Sequence, residues 1–274
     1  MLQCPDIGSE LAFANAAGAV RTDNPDGASP LVLCCEHASN HVPSRFDLGL
    51  RPRDIERHIA WDPGAYGVAR ALAGLLDAVL VSSTVSRLVI DCNRNPLDEN
   101  SIPVISETTV IPGNRELTAA ERERRISEVY RPFHTALGAA VDRKEATCRV
   151  ALVSIHTFNP SYRGVVRPWL VGILFDRDER LSRPLIDALQ QRATMHAHSG
   201  LLVGINEPYS PKDRVYHTLD RHAQSRGRPN VMIEIRNDLV ATAADQQRWG
   251  ELLGNIFIGI LPVPAETSPQ IQRT

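Results

Sequence analysis

No run of apolar residues in this 274-residue chain approaches the roughly 18 that a membrane-spanning helix requires. An excess of charge is missing too: the formal net charge is −2, with a pI near 6.5. That balance gives no basis for a general nucleic-acid or anionic-membrane surface, although local arginine clusters can still hold small anions. Cysteine is scarce and scattered. None of Cys4, Cys34, Cys35, Cys92 and Cys148 forms a CxxC or metal-finger spacing, and the adjacent Cys34 and Cys35 sit inside an apolar run, as buried free thiols do. A reducing compartment, hence a cytoplasmic location, is expected. Residues 1–23 lack a basic start, and Asp6 and Glu10 interrupt their apolar residues, so no secretory signal is expected there.

Internal repeats, linkers and low-complexity tracts are also absent. What remains is ordinary globular material, 43% hydrophobic and 23% charged, enough to bury a core without disulfides. One domain over 1–274 is the simplest reading, with an irregular lead-in at 1–30 and a frayed polar tail at 265–274. Apolar runs suited to strands buried on both faces recur at 31–35 (LVLCC), 87–91, 150–155, 170–175, 201–205 and 231–235. Helical patterns fall between them. Asp62-Pro63 reads as an N-cap with proline at N1, ahead of the amphipathic AYGVARALAGLL. Thr118 and Glu121 form a capping box that opens a long helical segment towards Lys144. Further helices are expected near 180–195 and 239–257. Strands alternating with helices imply an α/β fold whose mostly parallel sheet is covered on both sides.

In such sheets ligands bind beyond the carboxyl ends of the strands. LVLCC runs into Glu36-His37, VALVSI into His156, and VMIEIR contains Glu234. A single histidine after a strand is ordinarily a hydrogen-bonded structural residue; two at equivalent strand ends suggest a shared metal. Catalytic zinc takes three protein ligands and leaves one position open. Asp62 is the first choice for the third ligand, although a plain N-cap would also explain it; Glu36 and Glu56 are held in reserve. Glu234, inside an apolar strand, is either an ion-pair partner of an arginine such as Arg236 or a general base whose pKa burial brings towards neutrality. Arg94 follows Asp91-Cys92-Asn93, where a guanidinium suits a substrate carboxylate. Arg87, Arg163, Arg167 and Arg236 add to a site unusually rich in arginine. His41, His217 and His222 are secondary candidates.

The segments CEHASNHVP (35–43), WDPGA (61–65), SRLVIDCNRNP (86–96), SIHTFNP (154–160), RPWLVGILFDRD (167–178) and IEIRND (233–238) together resemble the N-formylglutamate amidohydrolase family. The resemblance is collinear over about residues 30–240. It implies a three-layer α/β/α sandwich with a mostly parallel mixed sheet, like the zinc exopeptidases of phosphorylase/hydrolase-like fold. By that analogy His37, Asp62 and His156 match the ligands of one zinc ion per chain and Glu234 the catalytic base. Asn93-Arg94 matches a carboxylate-binding pair, and Arg87, Arg163, Arg167, Arg236 and His217 fall among substrate-contact candidates. One departure stands out: the His-x-x-Glu of related carboxypeptidases reads His37-Ala-Ser-Asn40 here. The implied activity is hydrolysis of N-formyl-L-glutamate to glutamate and formate, in histidine degradation, by a monomer or homodimer. A zinc carboxypeptidase or amidase for peptides or other N-acyl amino acids is the alternative enzyme. A non-catalytic binder of acidic metabolites is the alternative from another class.

Overall fold

The computed structural model describes residues 18–195 and 202–261; the expected tail at 265–274 and the first part of the lead-in lie outside them. In chain order the strands are β1 (Val20–Asp23), β2 (Leu31–Cys35), β3 (Val79–Ser83), β4 (Ile105–Ser106), β5 (Thr109–Val110), β6 (Ala151–Phe158), β7 (Ser161–Tyr162), β8 (Val165–Val166), β9 (Val171–Leu174), β10 (Val203–Ile205) and β11 (Asn230–Arg236). The helices are α1 (Pro52–Ile55), α2 (Ala65–Leu76), α3 (Ala119–Arg125), α4 (Arg131–Glu145), α5 (Ser182–Met195), α6 (His217–His222) and α7 (Ala243–Ile260).

Seven strands form one sheet in the order β1-β3-β2-β6-β11-β9-β10. β3, β2, β6 and β11 run parallel to their neighbours, while β1 and the β9–β10 pair join antiparallel. Each face carries its own core. Val32, Cys34, Leu152 and Met232 pack with Phe133 and Leu137 of α4 and Leu219 of α6. Leu33, Val153, Ile155, Val231 and Ile233 pack against α2, α5 and α7 through Val68, Leu72, Leu185 and Phe257. Because side chains alternate along a strand, this leaves apolar residues on both faces and explains the continuous hydrophobic runs. The result is the α/β architecture with helices on both sides of a mostly parallel sheet. None of its helices, among the described residues, is long and apolar enough to cross a membrane.

The central strands β2, β6 and β11 are adjacent and parallel, so their carboxyl ends open on one edge. Cys34 pairs with Ser154, and Glu234 with His156. That register sets the site.

Four local expectations change. The run at 87–91 is not a strand; β3 lies just upstream. Leu88, Val89 and Ile90 are buried all the same, and their loop backbone is satisfied by side chains: Asn114 Nδ2 donates to Leu88 O and the buried Arg125 to Val89 O. An apolar run reports burial, not conformation. The lead-in contains β1, an edge strand whose register with β3 runs from Val20–Ser83 to Asp23–Leu80. His156 lies within β6 rather than after it. Asp62 is not the N-cap: α2 starts at Ala65 behind Gly64, whose φ is +85°. A Cβ on Gly64 would meet Val240 at 2.5 Å, so glycine is required there, and the turn leaves the Asp62 side chain free for the site. The capping box at Thr118–Glu121 forms as expected.

Candidate active site

At the carboxyl edge of β2, β6 and β11 lies a cavity of about 220 Å³. His37, from the turn after β2, His156, from β6, and Asp62, from the turn before α2, bring their ligand atoms within 4.8 Å of one another, and all three are buried. Their contacts are ordered. Both Nδ1 atoms face Asp62 Oδ2, at 3.3 Å from His37 and 2.8 Å from His156. The opposite ring nitrogens face other carboxylates: His37 Nε2 bonds Asp91 Oδ1 at 2.8 Å. His156 Nε2 sits 3.2 Å from Glu36 Oε2 without hydrogen-bond alignment. Glu36 is fixed in turn by the Ser154 hydroxyl, which donates to Oε2 at 2.8 Å.

The Arg87 guanidinium closes the cluster. Its Nη1 lies 2.9 Å from Asp62 Oδ1 and 3.1 Å from His37 Nδ1, while Nε donates to Ile59 O. Burial alone would raise the pKa of Asp62, but Arg87 and His37 outweigh it and hold the carboxyl well below its usual range. Burial would lower the pKa of His156, yet Glu36 and Asp62 push it well above that of a free imidazole. In His37 the carboxylates of Asp91 and Asp62 likewise overcome burial and raise the pKa.

Glu234 differs from every carboxylate around it. It is buried, its Oε2 has no hydrogen-bond partner, and no cation pairs with it among the described residues. Burial lifts its pKa to about 7, against the opposing pull of His156. An unpartnered carboxylate is costly in a core, and this one opens onto the cavity beside the triad.

The profile of the N-formylglutamate amidohydrolase family matches residues 29–241. The chain belongs to this family. It is thereby a hydrolase acting on amide bonds. A solved gene product of Agrobacterium tumefaciens shares 42% identity, with a TM-score of 0.80 over 89% of this chain and 96% of that one. The N-formylglutamate amidohydrolase of Ralstonia eutropha JMP134 is 22% identical, with a TM-score of 0.65 over 89% of this chain and 98% of that one, and shares the fold. No curated protein sequence matches the chain.

Of the residues singled out in the sequence of this amidohydrolase, His37, Asp62, His156, Glu234, Arg87, Asn93, Arg94 and Arg167 line the cavity. Arg163, Arg236 and His217 do not. Arg163 is stacked on Tyr162 and reaches Glu107 O; Arg236 pairs with Asp238, not with Glu234. His217 meets the Tyr130 hydroxyl at 2.6 Å. Of the reserve carboxylates, Glu56 is exposed and Glu36 stands behind His156. Asn40, where the carboxypeptidase pattern has glutamate, donates instead to Ile55 O. Asn93 lines the cavity, yet both ends of its amide are used: Nδ2 donates to Val215 O at 2.6 Å, and Oδ1 accepts from Thr218 N at 3.1 Å.

Sequence reasoning missed Asp91 as the partner of His37, and it missed His58, Glu107, Phe158, Tyr162 and Tyr209 in the lining. Asp91 stands two residues before the Asn93-Arg94 pair, a usable signal. Phe158 is the last residue of β6, and the others lie on loops and hairpins whose positions no local pattern encodes.

Proposed function

We propose that the protein is a metal-dependent amidohydrolase, most simply zinc-dependent, that cleaves the acyl C–N bond of N-formyl-L-glutamate or a close N-acyl acidic amino acid. Glu234 carries the reading: an unpaired, buried carboxylate next to a His-Asp-His cluster on one small cavity. The donor set fits a zinc ion, with two imidazoles and one carboxylate converging by Nδ1 and Oδ2 while each distal Nε2 faces a second carboxylate. When bound, such an ion polarises the amide carbonyl and acidifies water.

The protein's own groups supply the rest. Glu234 accepts a proton from the attacking water and delivers it to the departing nitrogen as the C–N bond breaks, giving formate and the free amino acid. Arg87 presents its guanidinium to the oxygen on which negative charge develops. Arg94, steadied by Asp91 at 3.4 Å, takes a substrate carboxylate. Asn93, spent on Val215 and Thr218, holds the loop that carries Arg94. A cavity of about 220 Å³ is smaller than the roughly 300–1,000 Å³ of drug-sized sites, which favours a single acylated amino acid over a peptide. The histidine-degradation role and the cytoplasmic location follow from that substrate and the absence of any cysteine staple pattern.

The deciding experiment pairs metal analysis of purified protein with product release from a panel of N-formyl and N-acetyl amino acids. Formate release that depends on bound metal supports the reading. Metal-loaded protein that cleaves no member of the panel would overturn it.

A further inference from the structure

Arg167 is only 8% exposed and lines the cavity, yet no carboxylate pairs with it among the described residues. Other arginines at or near the site are accounted for. Arg87 pairs with Asp62 and Arg94 with Asp91. Arg125, buried and away from the cavity, donates to Val89 O, Gly113 O and Asn114 Oδ1. Among the described residues Arg167 has one side-chain hydrogen bond, from Nη1 to the Tyr209 hydroxyl at 3.0 Å. Around it stand three rings, with centroids 4.6 Å away for Tyr209, 4.8 Å for Tyr162 and 5.9 Å for Phe158. Aromatic faces compensate part of a buried charge, but a guanidinium carries five N–H donors in a fork, and most of these have no acceptor among the described residues. The Tyr209 oxygen accepts from Arg167, so its own proton is free to donate as well.

We propose that Arg167 and Tyr209 form a second anion site in this cavity, separate from Arg94, which selects the side-chain carboxylate of an acylated acidic amino acid. The inference rests on the amidohydrolase reading. Arg94 is linked to His37 through Asp91, so an anion on it lies beside the triad, where a carboxylate adjacent to the scissile nitrogen must be. Arg167 is left for the farther carboxylate, and the faces of Phe158 and Tyr162 can flank the aliphatic methylenes leading to it. Close packing supports this arm: Gly172 of β9 leaves no room for a Cβ, which would stand 2.1 Å from Glu207 O, so the segment leading into Tyr209 rests directly on the sheet.

The test is the ratio of kcat/KM for N-formyl-L-glutamate over N-formyl-L-glutamine, which differ in charge but hardly in shape. The wild-type enzyme should favour glutamate by roughly 10- to 100-fold, the value of one charge-assisted contact. Arg167→Gln should bring the ratio close to about one, Arg167→Lys should restore part of it, and Arg94→Gln should leave it standing while lowering both rates. Tyr209→Phe removes only the hydroxyl and should lower the ratio severalfold; it carries the test if Arg167→Gln fails to fold. Glutarate binding to metal-loaded Glu234→Gln protein, followed by calorimetry, should weaken on adding Arg167→Gln much more than butanoate binding does. A ratio unchanged in both Arg167→Gln and Tyr209→Phe overturns the second site. Wild-type protein that cleaves neither compound overturns the amidohydrolase reading instead, and the calorimetric comparison still judges the anion site.

Discussion

His156 and Glu234 stand side by side at the same register position of the parallel β6–β11 pair. On β6 and β11 the side chains that point to the α4–α6 face include Leu152 and Met232, so alternation sends His156 and Glu234 to that face together. A candidate ligand and a candidate base are thereby fixed by sheet geometry rather than by a mobile loop, which is where positional accuracy is best held.

Replacing Glu234 with Gln should keep metal content and lower kcat by about 100- to 10,000-fold, the range for losing a general base. Stability should not suffer. A carboxyl whose folded pKa is raised to about 7 disfavours the folded state increasingly as pH rises from its unfolded value towards 7, and fully above that. The melting temperature of Glu234→Gln at pH 8 should therefore equal or exceed that of the parent. A large drop in melting temperature with near-normal turnover would mark Glu234 as structural.

The metal site can be tested without kinetics. Purified protein should bind about one equivalent of zinc, and His37→Ala or His156→Ala should each bring it near zero, since three protein ligands are the usual minimum for a catalytic site. Zinc titration followed by melting should stabilise the parent and not the variants. Full metal content in both variants would remove the proposed centre.

Arg94 and Asn93 should behave differently although they are sequence neighbours. Arg94→Ala should raise KM for substrates with a free α-carboxylate by an amount worth about 1.5–3 kcal/mol, with a much smaller change for analogues in which that α-carboxylate is an amide. Asn93→Ala leaves the Val215 carbonyl and the Thr218 N–H unpartnered, so it should cost about 1–3 kcal/mol of stability, read by denaturant unfolding. A stable Asn93→Ala variant with a selective loss for carboxylates would instead place Asn93 on the substrate.

Acid sensitivity should come from a buried histidine pair behind the site. His134 Nδ1 and His222 Nε2 are 2.8 Å apart, the rings stack, and His134 Nε2 donates to Cys92 O at 2.9 Å. Burial, reinforced by neighbouring positive charge, lowers their pKa values to about 3 and about 4. Unfolded histidines bind protons near pH 6.5, so the neutral pair contributes fully above that pH. Its contribution falls as pH drops from 6.5 towards 4, by on the order of 2 kcal/mol per histidine at pH 5. The double variant His134→Gln/His222→Gln should show a flatter melting-temperature profile between pH 6.5 and 4. An unchanged slope would assign the acid sensitivity to other groups.

Periodicity and capping are local, and the sequence alone determined what depends on them: the doubly buried strands at 31–35 and 231–235, the helix at 65–76, the capping box at Thr118, and an α/β sheet with polar residues at its strand ends. The family signature was legible for the same reason, because its short motifs are contiguous. Tertiary structure decided which polar residues meet. Asp62 reaches His37 and His156 only because β2 and β6, far apart in sequence, are neighbours in the sheet, and because Gly64 turns the chain behind it. The apolar stretch at 87–91 became a buried loop since Asn114 and Arg125, more than 20 residues away, satisfy its carbonyls. Arg163, Arg236 and Arg167 look alike along the chain. Only packing sends the first two to other partners and leaves the third buried on the cavity, because exposure and partnership are set by the loops and strands that close around a residue after the chain has folded.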